Sequence, residues 1–163
     1  MPVGEIGEIE CTGPMLFKGY LDPAENDGAF TADGWFRTGD LGTLDAAGFL
    51  RITGRKKDII IRKGENISAR ELEDVIATHP AIAEVAVIGL PDPAAGEIAC
   101  AVVRLRAAAE LPSLDAMAEH LLAQGLSRRK LPERLHVVTD FPRAPSGKIV
   151  KRVLRERLLT AND

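Results

Sequence analysis

Aromatic residues are scarce in this 163-residue sequence: one Trp, one Tyr and five Phe, or 4%. So few rings leave little for stacking unpaired bases, the main device of single-strand nucleic-acid binders. Cysteine is scarcer still. Cys11 and Cys100 stand in strand-like surroundings without CxxC or Cys/His spacing, which excludes a zinc site or disulfide framework and suggests two small buried residues. No apolar run approaches the ~20 residues of a membrane helix. The opening "MPVGEIGEIE" lacks the basic and apolar regions of a secretory leader, so the expected compartment is the cytoplasm. Internal repeats and low-complexity tracts are absent. His79, His120 and His136 have no cysteine or carboxylate at triad-like spacing, and His79, before Pro80, suits a helix end where it caps carbonyls.

The composition, 45% hydrophobic and 28% charged, is that of a globular chain. Its net charge of -3 hides an asymmetry. Residues 1–52 hold nine acids and three bases, whereas residues 53–163 hold fifteen acids and eighteen bases. Such a step predicts two units joined near "TGRKKD", the second suited to an anionic partner. Residues 1–56 read as strands and turns: "GEIGEIEC", a Gly/Pro/Asp-rich run from Gly13 to Gly48, and "GFLRITG". They contain no apolar set large enough to close a core alone.

From residue 57 onward strands and helices mix, which predicts a small α+β domain with a central antiparallel or mixed sheet flanked by helices. "DIII" and "NIS" flank "RKGE", a hairpin signal in which Gly64 takes positive φ. "SARELEDVIATHP" predicts a helix with Ser68 as N-cap, Glu71 completing a capping box, Leu72, Val75 and Ile76 inward, and Pro80 at its end. "EVAVIGL" and "EIACAVVRLR" read as adjacent strands about the turn "PDPAAG". "SLDAMAEHLLAQG" predicts a helix capped by Ser113 and Gly125, with Leu114, Met117, Leu121 and Leu122 inward. "RLHVV" is strand-like, and "KRVLRERLL" closes the chain as a helix.

Three stretches carry the chemistry. "PRAPSGKIVKR" has the look of a phosphate loop, but Pro142 replaces the first glycine of GxxxxGK[ST] and Ile149 its hydroxyl residue, so that reading fails. What is left is Lys148 on a mobile loop with a proline-stiffened stem and a pliable Ser146-Gly147, either a cation suited to charge growing on an attacked phosphate or part of an ordinary solvated surface loop. In "WFRTGDLG", Asp40 in a Gly-rich turn offers two acceptor oxygens to a ribose diol, or is an ordinary turn residue. In "TGRKKD", Arg55 can fork onto ribose or phosphate; the apolar run behind Asp58 puts Arg55, Lys56 and Lys57 in folded structure.

In order and spacing, "WFRTGDL", "TGRKKDIIIRKGENISARELE" and "PRAPSGKIVKR" resemble the closing motifs of the adenylate-forming superfamily, which spans acyl-CoA synthetases, nonribosomal-peptide adenylation domains and luciferases. "GEIGEIECTGPMLFKGYLDP" resembles the family segment just upstream. The resemblance implies a carboxylic acid activated by ATP to an acyl-AMP, then passed to a thiol, usually that of CoA. It implies that Asp40 binds the ribose hydroxyls, Arg55 assists at ribose and phosphate, and Ile52 touches the adenine edge. It further implies that Lys148 bridges the acid carboxylate and the nucleotide, that Lys57 is the hinge about which the C-terminal domain turns between half-reactions, and that Gly64 leaves a passage for the pantetheine thiol.

By the same resemblance, residues 1–56 are the tail of a large N-terminal adenylation domain, this chain's partner, which supplies the acid pocket and most ligands of magnesium; no metal site is expected here. The fragment alone is then expected to be inactive. Acetylation of Lys148 by a lysine acetyltransferase would erase its charge. Asn66, where some relatives carry arginine, and Ala69, in place of a frequent proline, depart from the family pattern. "ENISARELE" and "PSGKIVKRVLRERL" look most like fatty-acid and carbocyclic-acid CoA ligases, and the ending "LLTAND", with no carrier domain after it, favours a stand-alone ligase. The alternatives are a domain that loads a carrier protein and a non-enzymatic basic module. The apolar Ile149, Val150, Val153, Leu154 and Leu158 of the last helix read more simply as a core face than as a nucleic-acid or membrane surface.

Overall fold

The computed structural model describes residues 2–160, so the ending Ala161–Asp163 lies outside the described residues. The chain divides into two compact units between Lys57 and Asp58.

The first unit is a three-stranded antiparallel sheet of β1 (Gly7–Cys11), β2 (Phe36–Leu44) and β3 (Leu50–Arg55), in that order. β2 corrects the expectation of turns throughout the Gly/Pro/Asp-rich run, because Asp40 lies within a strand. Glycines interrupt it without ending it: Gly39 takes φ 72°, and the register slips between Leu41 and Gly42. These are bulges, which bend a strand and leave its ladder in place. No hydrophobic side chain of residues 2–57 is buried, in line with the absence of a self-sufficient core. The unit is held instead by its few aromatics, with Phe17 in contact with Tyr20, Phe30 and Phe36 at centroid distances of 5.0, 5.7 and 5.0 Å. Met15 and Phe49 stand in solvent at 95% and 72% exposure. Cys11 is exposed as well, correcting its reading as a buried residue, since a sheet without a core has nothing to bury it.

The second unit has the expected α+β architecture. Its sheet runs β5 (Glu65–Ser68), β4 (Ile59–Arg62), β7 (Gly96–Leu105), β6 (Ile82–Asp92), with β8 (Arg134–Val137) parallel to β7. The helices are α1 (Ala69–Ile76), α2 (Leu114–Ala123) and α3 (Lys151–Thr160). Period-two alternation in the two long strands sends side chains to both faces, so each reads as a continuous apolar run. Val87, Ala99, Ala101 and Val103 join Leu72 and Ile76 of α1 and Met117 and Leu121 of α2. Ile88, Ile98, Cys100 and Val102 join Phe141 and Leu154 and Leu158 of α3 on the other face. Each fully buried Leu or Ile contributes roughly 1.5–3 kcal/mol.

Three glutamates act where the strand ladder is incomplete. β4 meets β7 only at Gly96, and β8 begins beside Cys100. Between them the Glu133 carboxylate accepts the Ala99 N–H at 2.8 Å, and that of Glu97 accepts the Ile61 N–H at 3.0 Å. Glu73 of α1 accepts the Val87 N–H at 2.7 Å. Each also faces a cation, Arg62, Arg155 and Lys151 respectively, so every carboxylate is satisfied twice.

The helix ends refine the sequence reading. Ser68 and Ser113 cap as expected, accepting Glu71 N–H at 3.3 Å and Ala116 N–H at 3.1 Å. The Glu71 carboxylate pairs with Lys130 Nζ at 2.7 Å, a long-range use that the capping-box pattern does not anticipate. α1 ends at Ile76, before Pro80, and Leu114 is exposed because it opens α2 off the core face. His79 accepts: its Nδ1 takes the Ala81 N–H at 3.2 Å, and its ring meets that of His120 edge-on at 4.8 Å. No described helix is long and apolar enough to cross a membrane.

Candidate active site

In the second unit the "PRAPSGKIVKR" segment leaves the core at buried Phe141 and returns at α3. Arg143 and Ile149 form an antiparallel bridge, Ala144 N–H donates to the Lys148 carbonyl at 2.9 Å, and Gly147 N–H donates to the Ala144 carbonyl at 2.8 Å. Gly147, at φ 82°, closes the turn in the left-handed region that costs other residues energy. The segment is therefore a closed turn, tied to itself through Ala144, Gly147 and Lys148. Lys148 follows at its rim, exposed, and among the described residues no ion pair or side-chain hydrogen bond engages its ammonium. An exposed cation on a braced turn keeps its whole charge for a ligand.

Gly64 lies elsewhere on the same unit, at the tip of the β4–β5 hairpin. Lys63 and Gly64 take φ 50° and 80°, the paired left-handed conformations of a two-residue hairpin turn. A Cβ at Gly64 would meet nothing within 4 Å. The hairpin is anchored through Arg62, whose side chain pairs with Glu133 and donates to the Leu131 carbonyl at 3.0 Å and to the Arg129 carbonyl. A cleft of about 460 Å³ opens beside it, lined among others by the cations Arg62, Lys63 and Arg129 and the anions Glu65, Asp92 and Glu133. The lining charges balance, so it shows no preference for an anion.

In the first unit Asp40 and Arg55 are directly opposed on β2 and β3, with Arg55 Nε 2.5 Å from Asp40 Oδ1. Lys56 pairs with Glu8 at 2.9 Å, so the basic run does belong to folded structure. Ile52 is exposed on β3 at 63%. Lys57 sits in the short 3-10 turn Lys56–Asp58, as the last residue of the first unit. The sequence-derived residues thus fall into two groups, Asp40 and Arg55 in contact on one unit, Lys148 and Gly64 on the other. Among the described residues no three His, Cys, Asp or Glu side chains converge on a possible metal position.

Sequence reasoning missed the side chains that hold these groups. Glu84, on β6, receives both Arg104, at 2.7 Å, and Arg143. The Arg143 and Arg104 guanidiniums hold its carboxyl below the usual carboxylate range. Lys151 pairs with Asp58 and Glu73 at 3.2 and 2.8 Å. The only local sign was a charged residue inside an apolar strand.

Residues 71–148 match the family of the AMP-binding enzyme C-terminal domain. Over 98% of its length the chain is 41% identical to the medium-chain fatty-acid–CoA ligase of Escherichia coli K12, of which it spans 28%. It is 44% identical over 96% of its length to a Streptomyces salicylyl-CoA synthase/salicylate adenylyltransferase, again spanning 28% of that protein. Among solved structures, ATP-bound MatB from Rhodopseudomonas palustris superposes with a TM-score of 0.87 at 40% identity, over 96% of this chain and 31% of that one. The chain therefore spans less than a third of the length of these relatives. With the closed lysine turn, the open hairpin tip and the α+β unit that carries both, they lead to one assignment: residues 71–148 belong to the AMP-binding enzyme C-terminal domain family, and the proteins that the whole chain resembles are acyl-CoA ligases and related adenylating enzymes.

Proposed function

We propose that this chain is the C-terminal part of an AMP-forming acid–CoA ligase, with residues 1–56 the tail of a larger adenylating domain and residues 57–163 a domain that turns about Lys57. In the first half-reaction the acid's carboxylate oxygen attacks the α-phosphorus of ATP, pyrophosphate leaves, and an acyl-AMP results. Lys148 supplies the positive charge that offsets the negative charge gathering on the oxygens around phosphorus. Asp40, with Oδ1 turned to Arg55, accepts the ribose hydroxyls, Arg55 assists at ribose and phosphate, and Ile52 lies along the adenine edge. In the second half-reaction a thiol attacks the acyl carbon and AMP leaves. Gly64, lacking a side chain at the hairpin tip, leaves the pantetheine its passage. Magnesium, when bound, would offset phosphate charge, with its ligands coming mainly from the larger domain.

One observation carries the reading: the Lys148 ammonium is held out on a closed turn with no partner among the described residues, on the same compact unit as Gly64. A rotation that exchanges two sites on one body accounts for both features. CoA as acceptor rests on relatives named as CoA ligases or synthases. The exposed Met15 and Phe49 of the first unit fit a surface that the larger domain covers. The test is acid-dependent ATP–pyrophosphate exchange followed by thioester formation, on the whole protein and on this chain alone. Exchange by the whole protein with transfer to free CoA, and none by the chain, is expected. Exchange by the chain alone contradicts the division of labour, and transfer only to a carrier-protein phosphopantetheine replaces CoA as acceptor.

A further inference from the structure

Two charged side chains flank Lys148, and each ties its turn to the sheet. On the N-terminal side Arg143 donates through one terminal nitrogen to the Gly147 carbonyl at 2.9 Å and through the other to Glu84 of β6. That carbonyl belongs to the peptide that enters Lys148. On the C-terminal side Lys151, the first residue of α3, reaches Asp58 and Glu73. Asp58 directly follows Lys57, and Glu73 is itself fixed to the Val87 N–H. The turn is thus pinned from both sides to parts of the unit that have cores beneath them.

We propose that Arg143 and Lys151 are positioning residues that fix the Lys148 Cα relative to the sheet and to the chain entering from Lys57. The proposal rests on the reading of Lys148 as the adenylation cation. A lysine side chain has a long flexible stem, so the position of its ammonium is only as well defined as the backbone beneath it. With Gly147 in the turn, that backbone has more conformational freedom than any other residue would give it. Anchoring the Gly147–Lys148 peptide by its carbonyl, and the helix start three residues on, removes that freedom on both sides. Arginine suits the first anchor because one planar guanidinium spans two acceptors, which an ammonium on a single point does not do in the same geometry.

The competing explanation is that these pairs are ordinary partly exposed ion pairs that add a little stability. A control is available on the same helix: Arg152 pairs with Glu156 at i,i+4 and, among the described residues, makes no hydrogen bond or ion pair to the turn. A second discriminator lies in the hairpin. Neither Arg143 nor Lys151 bonds it, so displacing the turn leaves the Gly64 half-reaction intact, whereas general damage to the unit slows both.

The test has two readouts. In the 163-residue chain, backbone amide exchange is measured at Ala144 and Gly147 for Arg143→Gln, Arg143→Lys, Lys151→Gln, Lys151→Arg and Arg152→Gln. In the whole protein the same variants are assayed for adenylation in single turnover and for thioester formation from supplied acyl-adenylate. Arg143→Gln and Lys151→Gln are expected to speed exchange in the turn and to slow adenylation roughly 10- to 100-fold, the upper end being the scale of a misplacement of about an ångström, with thioester formation within about twofold. Lys151→Arg restores both readouts, Arg143→Lys does not, and Arg152→Gln matches the parent. Unchanged turn exchange, unchanged adenylation, or equal slowing of both half-reactions overturns the proposal. Lys148→Ala separates the failures. If it leaves adenylation untouched, the role of Lys148 itself is wrong; if it slows adenylation while Arg143→Gln does not, only the bracing is wrong.

Discussion

Substitution at Gly64 separates the cost of folding the hairpin from the cost of blocking a passage. Lys63 already takes φ 50° beside it, and a Cβ at Gly64 has nothing within 4 Å to strike. The only local cost of Gly64→Ala is therefore holding an L-residue in the left-handed region, roughly 1–2 kcal/mol. For a chain of this size each kcal/mol lowers Tm by about 2–4 °C, so the alanine variant of the 163-residue chain should melt about 2–8 °C below the parent in a circular-dichroism scan. Gly64→Leu should melt in the same range, because its larger side chain also points into open space. The two differ in function: in the whole protein, leucine should sharply slow thioester formation from supplied acyl-adenylate while adenylation stays near the parent rate. A Tm loss well beyond that range would mean that something packs against Gly64. Parent-like thioester formation by the leucine variant would remove Gly64 from the path of the thiol.

Two further outcomes follow from the buried and half-buried groups. Burial pushes the Cys100 thiol up to about 11, the nearby Arg134 charge opposing this only in part, while Cys11 is exposed. A chromogenic thiol reagent at about pH 8 should titrate one cysteine in the folded chain and both after unfolding; two fast equivalents in the folded chain would refute the burial. His79 is held below the ordinary histidine value of 6.5, first by desolvation and then by the neighbouring His120. The unfolded chain then binds more protons as pH falls from 6.5 toward the folded value, so stability is lost across that window and is constant above it. His79→Gln should flatten this part of the stability profile, measured by urea unfolding at a series of pH values, and an unaltered slope would contradict the assignment.

Much of the second unit is legible in the sequence because its signals are local. The Lys63-Gly64 turn, the Ser68 and Ser113 caps and the apolar faces of α1 and α3 each depend on residues a few positions apart. The long apolar runs of β6 and β7 announce strands because both faces of the sheet are covered. The position of Asp40 reads as a turn because glycines inside a strand look like one until the partner strands absorb them as bulges. The exposure of Cys11 is not legible because burial depends on a core that the first unit does not have. The braces of the lysine turn were invisible for a different reason: Arg143 and Glu84 are 59 residues apart, and Lys151 and Asp58 are 93 apart. No periodicity reports a contact of that span; only the pairing of β6 with β7 and the packing of α3 bring those charges together.

The central claim is that the Lys148 ammonium stabilises charge at phosphorus in the first half-reaction and is absent from the second. Its most direct test is a single-turnover comparison of the whole protein with its Lys148→Ala variant, adenylation and thioester formation being timed separately. Loss of a donor to a growing oxyanion costs roughly 10²–10³-fold, and that loss should fall on adenylation alone. A variant that forms acyl-adenylate at the parent rate, or that slows equally in both steps, would contradict it.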